Sequence, residues 1–330
     1  MNIRFPSPLR PGDRVAVTAF SSGVPKPLHD QLDRALDRLR GLGLEVVEGE
    51  CLRGEEQDAS APAARRLAEL KRFLFDPGIR AILPPWGGER AIELLAGLDF
   101  DALSGLEPKW LAGFSDVSTL AAPLTLRAGW ATLHGPNLFD LGNPEREFGV
   151  AALLHSWRCG LPPEQASFSE FWRWDCPGER YHAQLRVLDA ATARIRGRLI
   201  GGCLDTLSRL QGTPYFDLSA FKAQPAILYL ENCEMNPCEL LRALSGLRLA
   251  GVLDGLAGLV LGRSSGPDAS GDNALSYAQA LEFALAGLPY PVIIDADIGH
   301  LPPQWTLLNG AWAELEVVDG RARLRQAPQP

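Results

Sequence analysis

A chain of 330 residues, 46% hydrophobic and 22% charged, can bury a large core, and its length suggests about two domains. The net charge of −8, with no cluster of Lys and Arg, argues against a nucleic-acid or anionic-membrane partner. No stretch approaches the roughly 20 apolar residues of a membrane span, and the opening MNIRFPSPLRPGDRV lacks an apolar signal core, so a soluble cytoplasmic protein is expected.

The first half alternates strand and helix. RVAVTAF (14–20) is a short β-rich run after the turn Pro11-Gly12-Asp13. LHDQLDRALDRLRGLG (28–43) carries Leu28, Leu32, Leu36, Leu39 and Leu42 at helical spacing, with Gly43 at its end. A strand at 44–49, a helix at 62–76 opened by Pro62, a strand at 79–85 and a helix at 89–98 follow. KWLAGF (109–114) is the fourth strand, SDVSTLAAPLTLRAG (115–129) a helix, and WATLHGP (130–136) the fifth strand. Strands separated by helices of this length imply right-handed crossovers and a parallel sheet covered on both faces.

Residues 151–183 read as an aromatic-rich connecting loop holding Trp172, Trp174 and Tyr181. From about 184 the strands shorten: QLRVLD, TARIRGRL, AILYLE, LAGLVLG, PVIID and WAELEVV, the last joined to RARLR through the hairpin signal Asp319-Gly320. Helical patterns remain at 203–211, 236–248 and 273–286. The expected organisation is α/β: an N-terminal parallel-sheet domain over 1–150, the loop 151–183, and a mixed α/β domain over 184–330.

Six cysteines, at 51, 159, 176, 203, 233 and 238, form no CxxC pair and have no His at zinc spacing, so neither metal nor disulfide is expected. No GxGxxG or GxxxxGK[ST] occurs, and dinucleotide or ATP chemistry therefore lacks its phosphate cradle.

Four groups could carry chemistry. Ser115, in WLAGFSD, stands where a buried strand turns into a helix, at the sheet end where parallel sheets bind ligands. It reads either as a cap, with Asp116 favouring the helix dipole, or as a nucleophile whose Oγ is exposed by a tight turn. A serine nucleophile needs a base and a carboxylate to orient it. Of His29, His134, His155, His182 and His300, His134 follows a strand, while His300 lies between Gly299 and a diproline that fix its direction. Glu231 ends the apolar run AILYLE, where a carboxylate is costly unless paired; a salt bridge or a cap is the plainer account. Gly87 and Gly88, in PPWGGERA, let backbone amides approach a ligand, as an oxyanion hole requires, or simply form a loop. Gly201-Gly202, before a helical pattern, is a further close-approach candidate.

Taken in order, these segments resemble the LD-carboxypeptidase family of serine peptidases over nearly the whole chain. The carriers are LRPGDRVAVTAFSS (9–22), WGGERA, Gly113-Phe114-Ser115-Asp116, His134-Gly135-Pro136, GRLIGGCLDTLSRLQGTPY, LYLEN and Gly299-His300. The resemblance implies a flavodoxin-like N-terminal domain, a C-terminal domain with barrel-like strands, and a homodimer. It implies a catalytic triad of Ser115, Glu231 and His300, an oxyanion hole at the backbone of Gly88 and Asp116, and no metal or other cofactor. The substrates implied are small: a murein tetrapeptide, as in peptidoglycan recycling, or a peptidyl- or aminoacyl-nucleotide amide, as in the microcin-immunity branch. Gly87, Trp172 and Trp174 are expected at the substrate, the tryptophans either stacking on a nucleotide or packing between domains. Cys203 replaces the usual Asn and Asn232 the usual Asp. A ligand-binding protein on the same scaffold, without catalysis, is the competing expectation.

Overall fold

The computed structural model describes residues 2–173, 176, 178–271 and 273–329. Contacts divide the chain into two units, Met1–Pro163 with Thr306–Gly310, and Glu164–Trp305 with Ala311–Pro330.

The first unit runs β1 (Arg14–Val17), α1 (His29–Gly41), β2 (Glu45–Glu48), α2 (Ala63–Phe75), β3 (Ile79–Leu83), α3 (Phe100–Ser104), β4 (Trp110–Gly113), α4 (Ser118–Pro123), β5 (Thr132–His134) and α5 (Glu147–Cys159). Its strands lie in the order β2-β1-β3-β4-β5, all parallel, and the late strand Leu307–Asn309 adds antiparallel to β5. Val15, Ala16, Val17, Ile82, Leu83 and Ala112 are fully buried, so the sheet is covered on both faces, as near-continuous apolar strands require.

The leucine stripe of α1 behaves as its spacing dictates over the middle turns: Leu32, Leu36 and Leu39 are buried, while Leu42 is exposed. No side chain caps this helix. At roughly 1.5–3 kcal/mol per buried leucine, as an upper estimate, packing outweighs the missing cap. The expected helix at 89–98 is instead a 3-10 segment, Ala91–Gly97. The Arg90 and Ala91 amides at its start are taken by Ser21 and Asp116, and a side chain at Gly97 would collide with Leu67, so the segment is fixed at both ends. Residues 151–159, expected in a connecting loop, belong to α5; Ala152, Leu153, Ser156 and Trp157 are buried at helical spacing.

The second unit contains β6 (Gln165–Ala166), β7 (Glu170–Phe171), β8 (Tyr181–His182), β9 (Arg186–Val187), β10 (Thr192–Cys203), α6 (Leu204–Leu207), β11 (Ala226–Glu231), α7 (Pro237–Leu249), β12 (Gly258–Gly262), α8 (Tyr277–Leu285) and β13 (Val292–Ala296). The chain then supplies β14 (Leu307–Asn309), the late strand already placed on the first sheet, and ends with β15 (Trp312–Val318) and β16 (Arg321–Ala327). Among the described residues, eight strands form one mixed sheet, β6-β16-β15-β10-β11-β12-β13-β9. Within it β10, β11, β12 and β13 are parallel. Their C-terminal ends therefore share one edge, the edge where such sheets hold ligands.

Gly201-Gly202 precedes the helix α6, as expected, and lies at the end of the long strand β10. Gly201 pairs with Tyr229, and a Cβ there would overlap the Tyr229 carbonyl oxygen. The close approach is to a neighbouring strand. Gly201→Ala is therefore expected to destabilise the protein by about 1–3 kcal/mol through overpacking, read as a lower midpoint in urea unfolding.

Candidate active site

In the first unit the chain leaves β4 through Gly113 at φ +148°, passes Phe114 in extended backbone, and reaches Ser115 at φ +63°. The left-handed region is uncommon for a residue with a Cβ, and such outliers cluster where a side chain must be held out of its regular direction. The N-cap position of the 3-10 turn Ser115–Val117 is Phe114, and no side-chain cap bond closes it. Capping does not account for Ser115.

Its neighbour Asp116 is 2% exposed and ties three segments together. Its carboxylate accepts from Ser21 Oγ at 2.6 Å, from the Ala91 amide at 2.8 Å and from Thr119 Oγ1 at 2.7 Å. Ser21 Oγ in turn accepts from the Arg90 amide at 3.0 Å. The glycine-pair loop is thus fastened to the serine turn by a buried carboxylate. A Cβ on Gly87 would lie 2.7 Å from Ser115 Cβ, 2.8 Å from its Oγ and 2.9 Å from the Asp116 amide nitrogen. Gly88, at φ +136°, faces Ser21 and Ser22 in the same way. Both glycines are needed for backbone to pass this closely.

In the second unit β11 ends on Glu231, whose side chain has no exposure. Glu231 Oε2 lies 2.8 Å from His300 Nδ1. A Cβ on Gly299 would come within 2.6 Å of that oxygen, and one on Gly262 within 3.0 Å of Glu231 Cβ. Gly299 therefore opens the space in which the carboxylate and the imidazole meet, and Gly262 makes room for the base of the Glu231 side chain. An acceptor at Nδ1 selects the tautomer with its proton there and the lone pair on Nε2. Burial lowers the pKa of His300, but the Glu231 charge and hydrogen bonds to Cys233 and Glu231 outweigh it and hold the imidazole well above its ordinary value. Burial pushes the Cys233 thiol up, against the opposing pull of His300.

The loop after β13 is anchored on both sides of His300. Asp297, fully buried, is ion-paired with Arg263 and accepts from the Phe168 amide at 3.1 Å. The pKa of Asp297 is raised by burial, though Arg263 works against this. Trp172, just after β7, is tied to this loop, its amide donating to the Pro302 carbonyl at 3.0 Å, with the Arg180 guanidinium 5.5 Å from its ring centre. Trp174 lies outside the described residues.

Each unit thus gathers its own expected residues: Ser115, Asp116, Gly87 and Gly88 in the first, Glu231 and His300 in the second. His134, the other base considered, is buried in β5 with its ring centre 6.4 Å from that of Phe114. The two departures have structural accounts. Asn232 folds the turn after Glu231 by bonding the Met235 backbone amide and carbonyl, and it also bonds Ser264. Cys203 is buried with Sγ 3.5 Å from Asp205, whose carboxylate accepts from the Cys233 and Glu234 amides. Sequence reasoning missed Ser21, Cys233, Arg263 and Asp297. Arg263 carried a usable signal, since a charge directly after a buried strand is the same anomaly that drew attention to Glu231.

Family models describing the LD-carboxypeptidase N-terminal and C-terminal domains match residues 15–135 and 196–315. A Bacillus subtilis protein bearing the name of a murein peptide carboxypeptidase is 28% identical over 96% of this chain and 93% of its own length. The microcin C7 self-immunity protein MccF of Escherichia coli is 25% identical over 92% of this chain and 90% of its own. A structure of MccF in complex with glutamyl sulfamoyl guanosine shares the fold, with a TM-score of 0.82 at 21% identity over 99% of both chains. The muramoyltetrapeptide carboxypeptidase from Oxalobacter formigenes gives a TM-score of 0.76 at 25% identity, over 96% of this chain and 99% of its own.

The crowding at Gly87 yields a direct test. Gly87→Ala is expected to slow covalent labelling of Ser115 by a serine-directed phosphonate by about 100-fold, with little change in the circular dichroism spectrum.

Proposed function

Because the chain belongs to the LD-carboxypeptidase family and is a serine peptidase that hydrolyses peptide amide bonds, we propose that it works through a triad of Ser115, His300 and Glu231. The observation that carries this reading is the contact between a wholly buried Glu231 carboxylate and the His300 ring, at 2.8 Å. A carboxylate without water is costly unless something compensates it, and the partner here is a group able to move a proton.

In the proposed reaction the His300 Nε2 lone pair takes the Ser115 proton as Oγ attacks the amide carbonyl. Glu231 holds the ring and stabilises the imidazolium that forms. The oxyanion is met by backbone amides of Gly88 and Asp116, in a turn held rigid by the Asp116 carboxylate. His300 returns the proton to the leaving amine, and water repeats the sequence on the acyl-serine.

The substrate class follows the family's two branches. One arm is a murein tetrapeptide, which would lose its terminal D-Ala, with peptidoglycan recycling in the cytoplasm as its setting. The other is an aminoacyl- or peptidyl-nucleotide amide, favoured by the aromatic segment at Trp172 beside the His300 loop and by the ligand named in the MccF structure. In either arm the protein is taken as a homodimer that uses no metal. The flavodoxin-like description of the first unit is supported by its strand order 2-1-3-4-5. The barrel-like description of the second rests on the family resemblance.

Mass spectrometry of each substrate after incubation decides between the arms. Cleavage of one by the wild type, and its loss by about 10⁴-fold or more in Ser115→Ala, is the expected outcome. Equal rates for the two proteins would remove Ser115 from the mechanism.

The base must be neutral to act, so kcat/KM should fall on acidification through the raised pKa of His300, giving an alkaline optimum. Glu231→Gln removes the charge that raises it. This variant is expected to move the acidic limb of the profile downward in pH, towards the ordinary imidazole value near ~6.5, while kcat falls by about 10²- to 10⁴-fold.

A further inference from the structure

We propose that Arg263 is a positioning residue for the catalytic base: it locks the loop carrying His300 so that the imidazole stays aligned with Glu231. The inference rests on the reading of His300 as that base.

Arg263 follows β12 directly and is 4% exposed, an unusual burial for a guanidinium. Its contacts lie on either side of His300 in the sequence. Towards the N-terminus it is ion-paired with Asp297. Towards the C-terminus it donates to the Pro303 carbonyl at 2.7 Å and to the Leu301 carbonyl at 3.3 Å. Asp297 closes the loop on itself, since its carbonyl accepts the Trp305 amide at 2.6 Å. The guanidinium also lies 5.0 Å from the Phe171 ring centre, in the aromatic segment whose Trp172 amide reaches Pro302. Donating through Nη1 and Nη2, one planar group therefore joins the strand end, both arms of the loop and the aromatic segment. An ammonium, a single point of charge, cannot reproduce that fork.

The groups facing His300 are Glu231 at the end of β11 and Cys233 just beyond it, with Cys203 of β10 and Asp205 of α6 behind them. The Arg263 guanidinium is instead ion-paired with Asp297. Its influence on the base is through the backbone of the loop, and a substitution that keeps the charge should still be felt.

The test uses the full chain with Arg263→Lys and the paired change Arg263→Met with Asp297→Asn, which leaves no buried charge unmatched. Each is made in wild type and in Glu231→Gln, with His300→Gln as the control for the base itself. Expected are a loss in kcat of about 10- to 100-fold, little change in KM, and a downward shift of the acidic limb of the pH profile. In the Glu231→Gln background the limb should not move further. A lower melting temperature with kcat and limb unchanged would overturn the proposal, as would an equal shift in both backgrounds. If the paired variant does not fold, Arg263→Lys decides alone. Full activity in His300→Gln would sink the triad reading and this one with it. Normal behaviour of the Arg263 variants beside crippled His300→Gln and Glu231→Gln sinks this one only.

Discussion

A carboxylate sealed from water is the constraint around which the second unit is organised. Glu231 sits at the end of a strand whose residues are all buried, and an ionised group there must be compensated locally. The compensation is His300, and the space for it exists because Gly262 and Gly299 have no side chains. A methyl group at Gly299 would enter the volume now occupied by the acid, and one at Gly262 would press on the Ile298 carbonyl and on Glu231 Cβ. The loop geometry around His300 then follows, because a ring held at 2.8 Å on one nitrogen has little freedom left in its orientation.

The first unit solves the converse problem. Its serine must stand in an uncommon backbone region, and a turn of that kind persists only where its surroundings over-determine it. Asp116 supplies the determination through three hydrogen bonds, two of them to the distant Ser21 and Ala91 and one to the nearby Thr119. Each bond to a buried carboxylate contributes about 1.5–3 kcal/mol, comparable with the ~1–3 kcal/mol typical of a strained residue. The network is therefore of the size needed to hold the corner.

Much of this architecture was legible in the residues. The runs AILYLE and WAELEVV are the strands Ala226–Glu231 and Trp312–Val318 without adjustment, since their apolar content and turn signals are local. The helix, strand and serine-corner order of the first half was readable for the same reason. What escaped depends on meetings between distant segments. Three residues at Leu307–Asn309 are too few to show a period, and their pairing with Thr132–His134 lies far back in the chain. Nothing in AFSS announces that Ser21 will bond Asp116. Gly201-Gly202 reads as a close-approach pair before a helix, and only the fold shows that what approaches Gly201 is Tyr229 of the neighbouring strand. Arg263 escaped too, although a charge directly after a buried strand is an anomaly, because its partners lie on a distant loop.

The strand at Leu307–Asn309 has a bearing on how the molecule is made. On a ribosome, the five parallel strands emerge first, with β5 at the margin of their sheet and its outer hydrogen-bonding groups unmet. More than 140 residues of the other unit must be threaded out before the covering strand arrives. Nascent first units therefore spend that interval with a bare β-edge, open to association with other chains.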